Sequence, residues 1–266
     1  MSRILFIVPA YNEEENLAEV IAGLRKRYPA ADVLVVNDGS TDDTSGVARR
    51  SGALLIDLPF NLGIGGAVQS GLLYARRNGH DIAIQFDGDG QHTPDEIAPL
   101  LARLDRGDCD VVVGSRFIER SAYRAPVARR TGIAILSLAH RIILRRRISD
   151  PTSGFRAYNR PAIEFLAEEY PHDYPEPESI VALTRNGFRV VEVKVEMKPR
   201  QGGRSSITFW RAIYYMLKVL VAIGIGATRR TRRTRHDERR VADRESSDQH
   251  PRHSVRHSTG SPASPA

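Results

Sequence analysis

The chain has 266 residues, 41% of them hydrophobic, which suits one substantial domain with a sizeable core plus appendages. Its single cysteine, Cys109, excludes an internal disulfide framework, fits a reducing compartment and reads as a small buried side chain. The net charge of +7 is uneven: residues 229–266 hold ten arginines against five acidic residues, so +5 lies in this tail and +2 in residues 1–228, and the basic balance says little about the body.

Ile4–Val8 is an apolar run that predicts a first strand. The N-terminal stretch MSRILFIVPAYNEEEN turns acidic after ten residues and lacks the long apolar stretch and cleavage site of a signal peptide. Glu14–Arg27 has helical spacing through Leu17, Val20, Ile21 and Leu24. Asp32–Val36 predicts a second strand, and Thr41–Ser51 a helix with Ser40 or Thr41 as N-cap. A third strand at Ala53–Asp57 and a helix at Gly65–Asn78 follow. Then come a strand at Asp81–Phe86, a helix at Pro94–Arg106 and a strand at Val111–Val113. Continuous apolar strands alternating with helices predict an α/β fold with a mostly parallel sheet covered on both faces. Residues 116–160 hold an Arg-rich segment and the loop DPTSGFRAYNR, and residues 161–198 resume helix and strand.

In such sheets ligands sit at the carboxyl ends of the strands, where the polar motifs fall here. PAYNEEE follows the first strand, NDGSTDDT the second and DGDGQH the fourth. Asp87 and Asp89, one residue apart, can converge on one point if the chain bends at Gly88 and Gly90. Hard carboxylate oxygens suit Mg²⁺ or Mn²⁺ and leave room for diphosphate oxygens, with Gln91 and His92 able to add a ligand or an outer contact. Asp38, at another strand end, is placed to accept ribose or base hydrogen bonds, whereas capping accounts for Ser40, Thr41 and Asp42. NLGIGGAVQSG (61–71) invites comparison with a dinucleotide loop and hence a nicotinamide-dependent oxidoreductase. It lacks G-x-G-x-x-G spacing and follows the third strand, so close packing is the reading kept.

PAYNEEENL, NDGSTDDT, NLGIGGAVQSGL, FDGDGQH, GSRF and DPTSGFRAY occur in this order, and together they resemble glycosyltransferase family 2, within it the polyprenol-phosphate glycosyltransferases of the dolichyl-phosphate mannose synthase type. The resemblance covers about residues 3–206. It implies a GT-A (nucleotide-diphospho-sugar transferase) fold and inverting transfer from a GDP- or UDP-sugar to a polyprenyl phosphate. It further implies nucleotide contacts from Pro9, Tyr11, Glu13 and Asp38, and metal or diphosphate contacts from Asp87, Gly88, Asp89 and Gln91. The expected cofactor is Mg²⁺ or Mn²⁺, held by Asp87, Asp89 and Gln91, which neutralises charge on the departing diphosphate.

On the acceptor side, Arg116, Arg129, Arg130 and Arg156 cluster in sequence after the sheet, and guanidinium forks match phosphate oxygens. Ser153 and Gly154 add hydroxyl and backbone donors. Asp89, Arg116 and Arg130 are the expected catalytic residues. An anionic phosphate attacks without a strong base; a sugar hydroxyl needs one, and Glu176 or Glu178 of YPEPE would serve that alternative. RQGGRSS (200–206) resembles the family's loop that closes over donor and acceptor phosphates, with Arg200 and Arg204 as its donor-binding charges and Ser206 where the family often has lysine.

The domain reading is a catalytic domain over 1–204, an amphipathic membrane-interface helix over 205–228 and a basic disordered tail over 229–266. Arg211 and Lys218 interrupt Phe209–Ala227, so an interfacial helix is favoured over a spanning one. Arg229, Arg230, Arg232 and Arg233 would attract anionic lipid. Ile133–Leu144, followed by Arg145–Arg147, is a second candidate for membrane contact. The expected location is the cytoplasmic face of the cell membrane, with room for a small membrane subunit as partner. The tail alone suggests a nucleic-acid-binding protein, but residues 1–228 carry no recognised DNA- or RNA-binding module, so no nucleic-acid partner is expected.

Overall fold

The structure is a computed structural model that describes residues 2–118, 148–171 and 174–196, with isolated positions at 135, 137, 138, 141, 142, 218, 221 and 224. Arg129, Arg130, Arg200 and Arg204 lie outside the described residues, as do nearly all of the 205–228 helix and the whole tail.

The strands are β1 (Ile4–Ala10), β2 (Asp32–Asn37), β3 (Leu54–Asp57), β4 (Ile82–Gln85), β5 (Val111–Ser115), β6 (Arg156–Asn159) and β7 (Val190–Lys194). They form one sheet in the order β3-β2-β1-β4-β6-β5-β7. All pairings are parallel except those of β6, which runs antiparallel to both β4 and β5. The helices are α1 (Leu17–Arg27), α2 (Thr44–Arg50), α3 (Gly63–Arg77), α4 (Ile97–Leu104), α5 (Arg160–Glu169) and α6 (Pro175–Arg185), with a 3-10 turn at Pro94–Glu96 before α4.

Helices cover both faces, and strand alternation explains why. Leu5 and Ile7 of β1 join one core with Val68 and Leu72 of α3, Ile163 and Leu166 of α5, and Ile180 of α6. Phe6 and Val8 point the other way into a second core with Leu17, Ile21 and Leu24 of α1 and Leu100 of α4. With apolar residues needed on both sides, β1 reads as an uninterrupted hydrophobic run. The first core is close-packed around Gly71, where a Cβ atom would stand 2.3 Å from Ile7 Cγ2.

Four expectations change here. Helix α1 starts at Leu17 rather than Glu14, and α2 at Thr44 rather than Thr41. The intervening backbone groups are used to join the two loops. Glu13 N–H donates to Thr44 Oγ1 at 3.0 Å, Glu14 N–H to Asp42 Oδ2 at 3.2 Å, and Asp43 N–H to Glu14 Oε2 at 2.9 Å. Ser40 and Thr41 therefore face the first loop, and neither is the N-cap, a position held by Asp43. The end of DPTSGFRAYNR, expected as loop, is strand β6. Its Ala157 and Tyr158 are fully buried between β4 and β5.

Candidate active site

Strands β2, β1 and β4 are parallel neighbours that end at one edge of the sheet. Register pairs Ala10 with Asn37 and Ile7 with Gln85, so Tyr11–Glu13, Asp38 and Asp87–Asp89 emerge side by side. Antiparallel β6 begins at the same edge, because Gln85 pairs with Arg156. Strand β5 ends there too, with Val113 opposite Arg156. The turn before β6 thus meets the acidic turn after β4.

Contact between these turns is close. A Cβ atom on Gly154 would lie 2.9 Å from Gln85 Nε2 and 3.3 and 3.5 Å from the two Asp87 carboxylate oxygens. Gly88 backs onto the first loop, where a Cβ would stand 3.3 Å from the Pro9 carbonyl oxygen and 3.8 Å from Glu13 Cγ. The expected bend is made at Gly90, which has φ 71°, while Gly88 serves by smallness. Gln91 N–H donates to Asp89 Oδ1 at 3.1 Å, which fixes that carboxylate.

Burial is the main reason the Asp87 carboxyl is pushed up to about 7; the negative charges of Asp89, Glu176 and Glu13 add to it, and Arg116 opposes it. The site carries an excess of negative charge. One divalent cation would offset it, and the carboxylates of Asp87 and Asp89 offer the hard oxygens such an ion takes. Among the described residues no group of three Asp, Glu, His or Cys side chains is preassembled as a ligand set. His92 stacks on Phe155 at 4.5 Å, and burial first, then Arg116, lowers its pKa to about 4, leaving it neutral at pH 7.

Asp38 is 4% exposed, and its Oδ1 accepts the Leu62 N–H at 2.7 Å. The expected nucleotide residue therefore also anchors the start of the NLGIGG segment. Tyr11 is exposed beside it.

The arginines divide. Arg116 is 5% exposed and grips Asp150, which is fully buried, with Nε–Oδ2 at 2.6 Å and Nη2–Oδ1 at 2.8 Å. Thr152 Oγ1 accepts a further bond at 3.1 Å. Arg156, expected at an acceptor phosphate, is instead fully buried as an internal brace. It donates to the Ser153, Pro151 and Glu176 carbonyls and to Ser179 Oγ, because the interior must satisfy a desolvated guanidinium with local acceptors. Ser153 is 3% exposed in the braced turn. Glu176, in the first turn of α6, lies within electrostatic reach of Asp87, and burial raises its own pKa. Glu178 occupies the same turn.

Sequence reasoning did not single out Asp150, Glu192, Gln85 or Asn37. Glu192 accepts from Ser149 N–H, Ser149 Oγ and Asp150 N–H, holding the turn that carries Asp150. Its only signal was a polar position within β7, which usually means an outward side chain. Asp150 had one signal, an aspartate ahead of Pro-Thr in a loop of mixed charge.

This combination of a mostly parallel sheet, an acidic turn at the end of β4 and polar turns at the ends of β1 and β2 defines an α/β ligand-binding architecture with its site at the carboxyl ends of the strands. The model for Glycosyl transferase family 2 matches residues 5–166, and the chain belongs to that family. It is 30% identical over 216 residues to the polyprenol monophosphomannose synthase of Mycolicibacterium smegmatis, covering 77% of this chain and 81% of that one. It is 32% identical over 215 residues to the undecaprenyl-phosphate mannosyltransferase of Micrococcus luteus, covering 77% and 88%. Among solved structures, glucosyl-3-phosphoglycerate synthase from Mycobacterium tuberculosis, in complex with Mn²⁺, uridine diphosphate and phosphoglyceric acid, superposes with a TM-score of 0.65. That match covers 85% of this chain and 79% of the other at 20% identity, and it establishes the GT-A-like fold.

Proposed function

We propose that this glycosyltransferase moves a sugar, with inversion, from a GDP- or UDP-sugar to a polyprenyl phosphate at the cytoplasmic membrane face. The observation that carries the reading is the packing of the Ser153–Gly154 turn directly against Asp87. This brings the segment expected to receive the acceptor beside the carboxylates expected to face the donor diphosphate. The names of the two curated relatives support a lipid phosphate as acceptor.

In this reading Pro9, Tyr11, Glu13 and Asp38 hold the nucleoside. Asp87, Asp89 and Gln91 would hold Mg²⁺ or Mn²⁺, which supplies charge neutralisation to the departing diphosphate. The fold neighbour solved with Mn²⁺ supports that cofactor. An acceptor phosphate oxygen attacks the anomeric carbon, that C–O bond forms as the bond to the diphosphate breaks, and the electron pair leaves with the nucleoside diphosphate. No base is required, because the attacking phosphate is already anionic near neutral pH, with a second pKa of about 6. Arg116, paired with Asp150 and bonded to Thr152, holds the acceptor turn to which Ser153 belongs. Arg129, Arg130, Arg200 and Arg204 complete the expected phosphate contacts. Membrane contact is assigned to the 205–228 helix and the basic tail. The helical positions Ile135, Leu138 and Ile142, all exposed, are a further support for it. Among the described residues no helix is long and apolar enough to cross a membrane.

A second reading, transfer to a sugar hydroxyl, draws on Glu176, a buried carboxyl within reach of Asp87 whose raised pKa favours proton uptake. The two separate when a panel of GDP- and UDP-sugars is incubated with polyprenyl phosphate and Mn²⁺ and the lipid is analysed by mass spectrometry. A glycosylated lipid phosphate, retained in Glu176→Gln, supports the first reading. No product from any donor, with transfer to a glycan hydroxyl instead, overturns it.

A further inference from the structure

One side chain clasps the loops after β1 and β2. Asn12 has φ 54°, and among the described residues it is the non-glycine residue with positive φ. Its N–H donates to Ser40 Oγ at 2.9 Å, and its Oδ1 accepts the Thr41 N–H at 2.9 Å and the Thr41 hydroxyl at 3.4 Å. Ser40 is fixed in turn: its N–H and Oγ both donate to Asn37 Oδ1, at 3.1 and 2.5 Å. The Asn37 amide, 6% exposed, donates to Ser45 Oγ and Asp57 Oδ1. A chain of hydrogen bonds thus runs from the exposed first loop into the ends of β2 and β3. It brackets Asp38, with Tyr11 and Glu13 on either side of Asn12. The Asn12 side chain is exposed, so core packing gives no reason for it. Asparagine tolerates left-handed backbone better than other side-chain-bearing residues.

We infer that Asn12 is a positioning residue: it holds Tyr11 and Glu13 in register with Asp38 and thereby sets the affinity for a nucleoside diphosphate. This rests on the donor site proposed above.

The test is calorimetric titration of the full chain with UDP and with GDP, each with Mn²⁺, for wild type, Asn12→Ala, Asn12→Gly and Asn12→Asp. Asn12→Ala loses both clasp and backbone preference, and its nucleotide Kd rises about tenfold or more. Asn12→Gly adopts the same φ freely but lacks the carbonyl, so it falls between; it also carries the test if Asn12→Ala is unstable to heat. Asn12→Asp keeps the acceptor and recovers to within about threefold of wild type. In steady state the donor KM rises while kcat moves less than about twofold, whereas a merely structural role would lower kcat through lost active enzyme. Unchanged nucleotide affinity in Asn12→Ala and Asn12→Gly overturns the inference alone. Failure of the wild type to bind either nucleotide overturns the donor-site reading and this inference with it.

Discussion

Replacing Arg116 by alanine should cost far more stability than loss of a surface phosphate ligand would. Its guanidinium meets Asp150 through two parallel contacts of 2.6 and 2.8 Å, and the side chains are 6% and 0% exposed. Removing one partner strands the other charge without water. Breaking such a buried pair costs about 3–5 kcal/mol, whereas a solvated arginine is worth less than about 0.5 kcal/mol. For a domain of this size each kcal/mol lowers Tm by about 2–4 °C, so a fall of roughly 10 °C is expected. Differential scanning calorimetry of Arg116→Ala and of the double variant Arg116→Met/Asp150→Leu would measure it. The double variant should regain most of the lost Tm, because an apolar pair of similar volume leaves no buried charge. A Tm for Arg116→Ala within a degree or two of wild type would refute the reasoning from burial. So would a double variant no more stable than the single one.

Gly154→Ala should cut kcat about tenfold or more, because its methyl would push on Gln85 and on one Asp87 oxygen; steady-state rates at saturating donor and acceptor check this, and full activity would sink it. The pKa of Asp87 is raised to about 7, so the metal-free fold holds that proton more tightly than the unfolded chain does. Stability should therefore decline as pH rises from the ordinary carboxylate range through about 7, and Asp87→Asn should flatten that slope in denaturant titrations. Mn²⁺ affinity, which needs the carboxylate, should climb with pH over the same window, as read by calorimetry. Gly71→Ala places a methyl 2.3 Å from Ile7 Cγ2 and should destabilise by about 1–3 kcal/mol in urea titration, without altering nucleotide affinity in the molecules that remain folded.

What the sequence made legible is what local pattern encodes. Strands β1, β2, β4 and β5 are continuous apolar runs because helices cover both faces. Asp38 and Asp87–Asp89 could be placed at strand ends because each follows its strand directly. What escaped depends on partners distant in sequence. The N–H groups of Asn12, Glu13 and Glu14 bond side chains 28 to 31 positions away, contacts that no local pattern encodes. RAYN does not look like a central strand, since an arginine opens it. Arg156 is buried there only because carbonyls from Pro151, Ser153 and Glu176 and the Ser179 hydroxyl surround it. The same limit led both Arg116 and Arg156 to be read as phosphate forks, since an arginine count cannot say which donors are already engaged.

That division of the arginines bears on how two anions can meet in one site. In the proposed reaction a donor diphosphate and a lipid phosphate approach while Asp87, Asp89, Glu13 and Glu176 already supply negative charge. Arg116 stands near, but Asp150 offsets its charge, and the donors of Arg156 are spent on the turn and on α6. Neither provides net positive charge in proportion to the incoming phosphates. In the proposed reaction the balance then falls to a divalent cation with Arg200 and Arg204 on the donor side and to Arg129 and Arg130 on the acceptor side. The scaffold arginines instead fix the turn that carries Ser153 and Gly154 against Asp87. On the proposed function the two sets of arginines then have different work: Arg116 and Arg156 hold the turn against Asp87, and the others are the ones expected to meet the incoming phosphates.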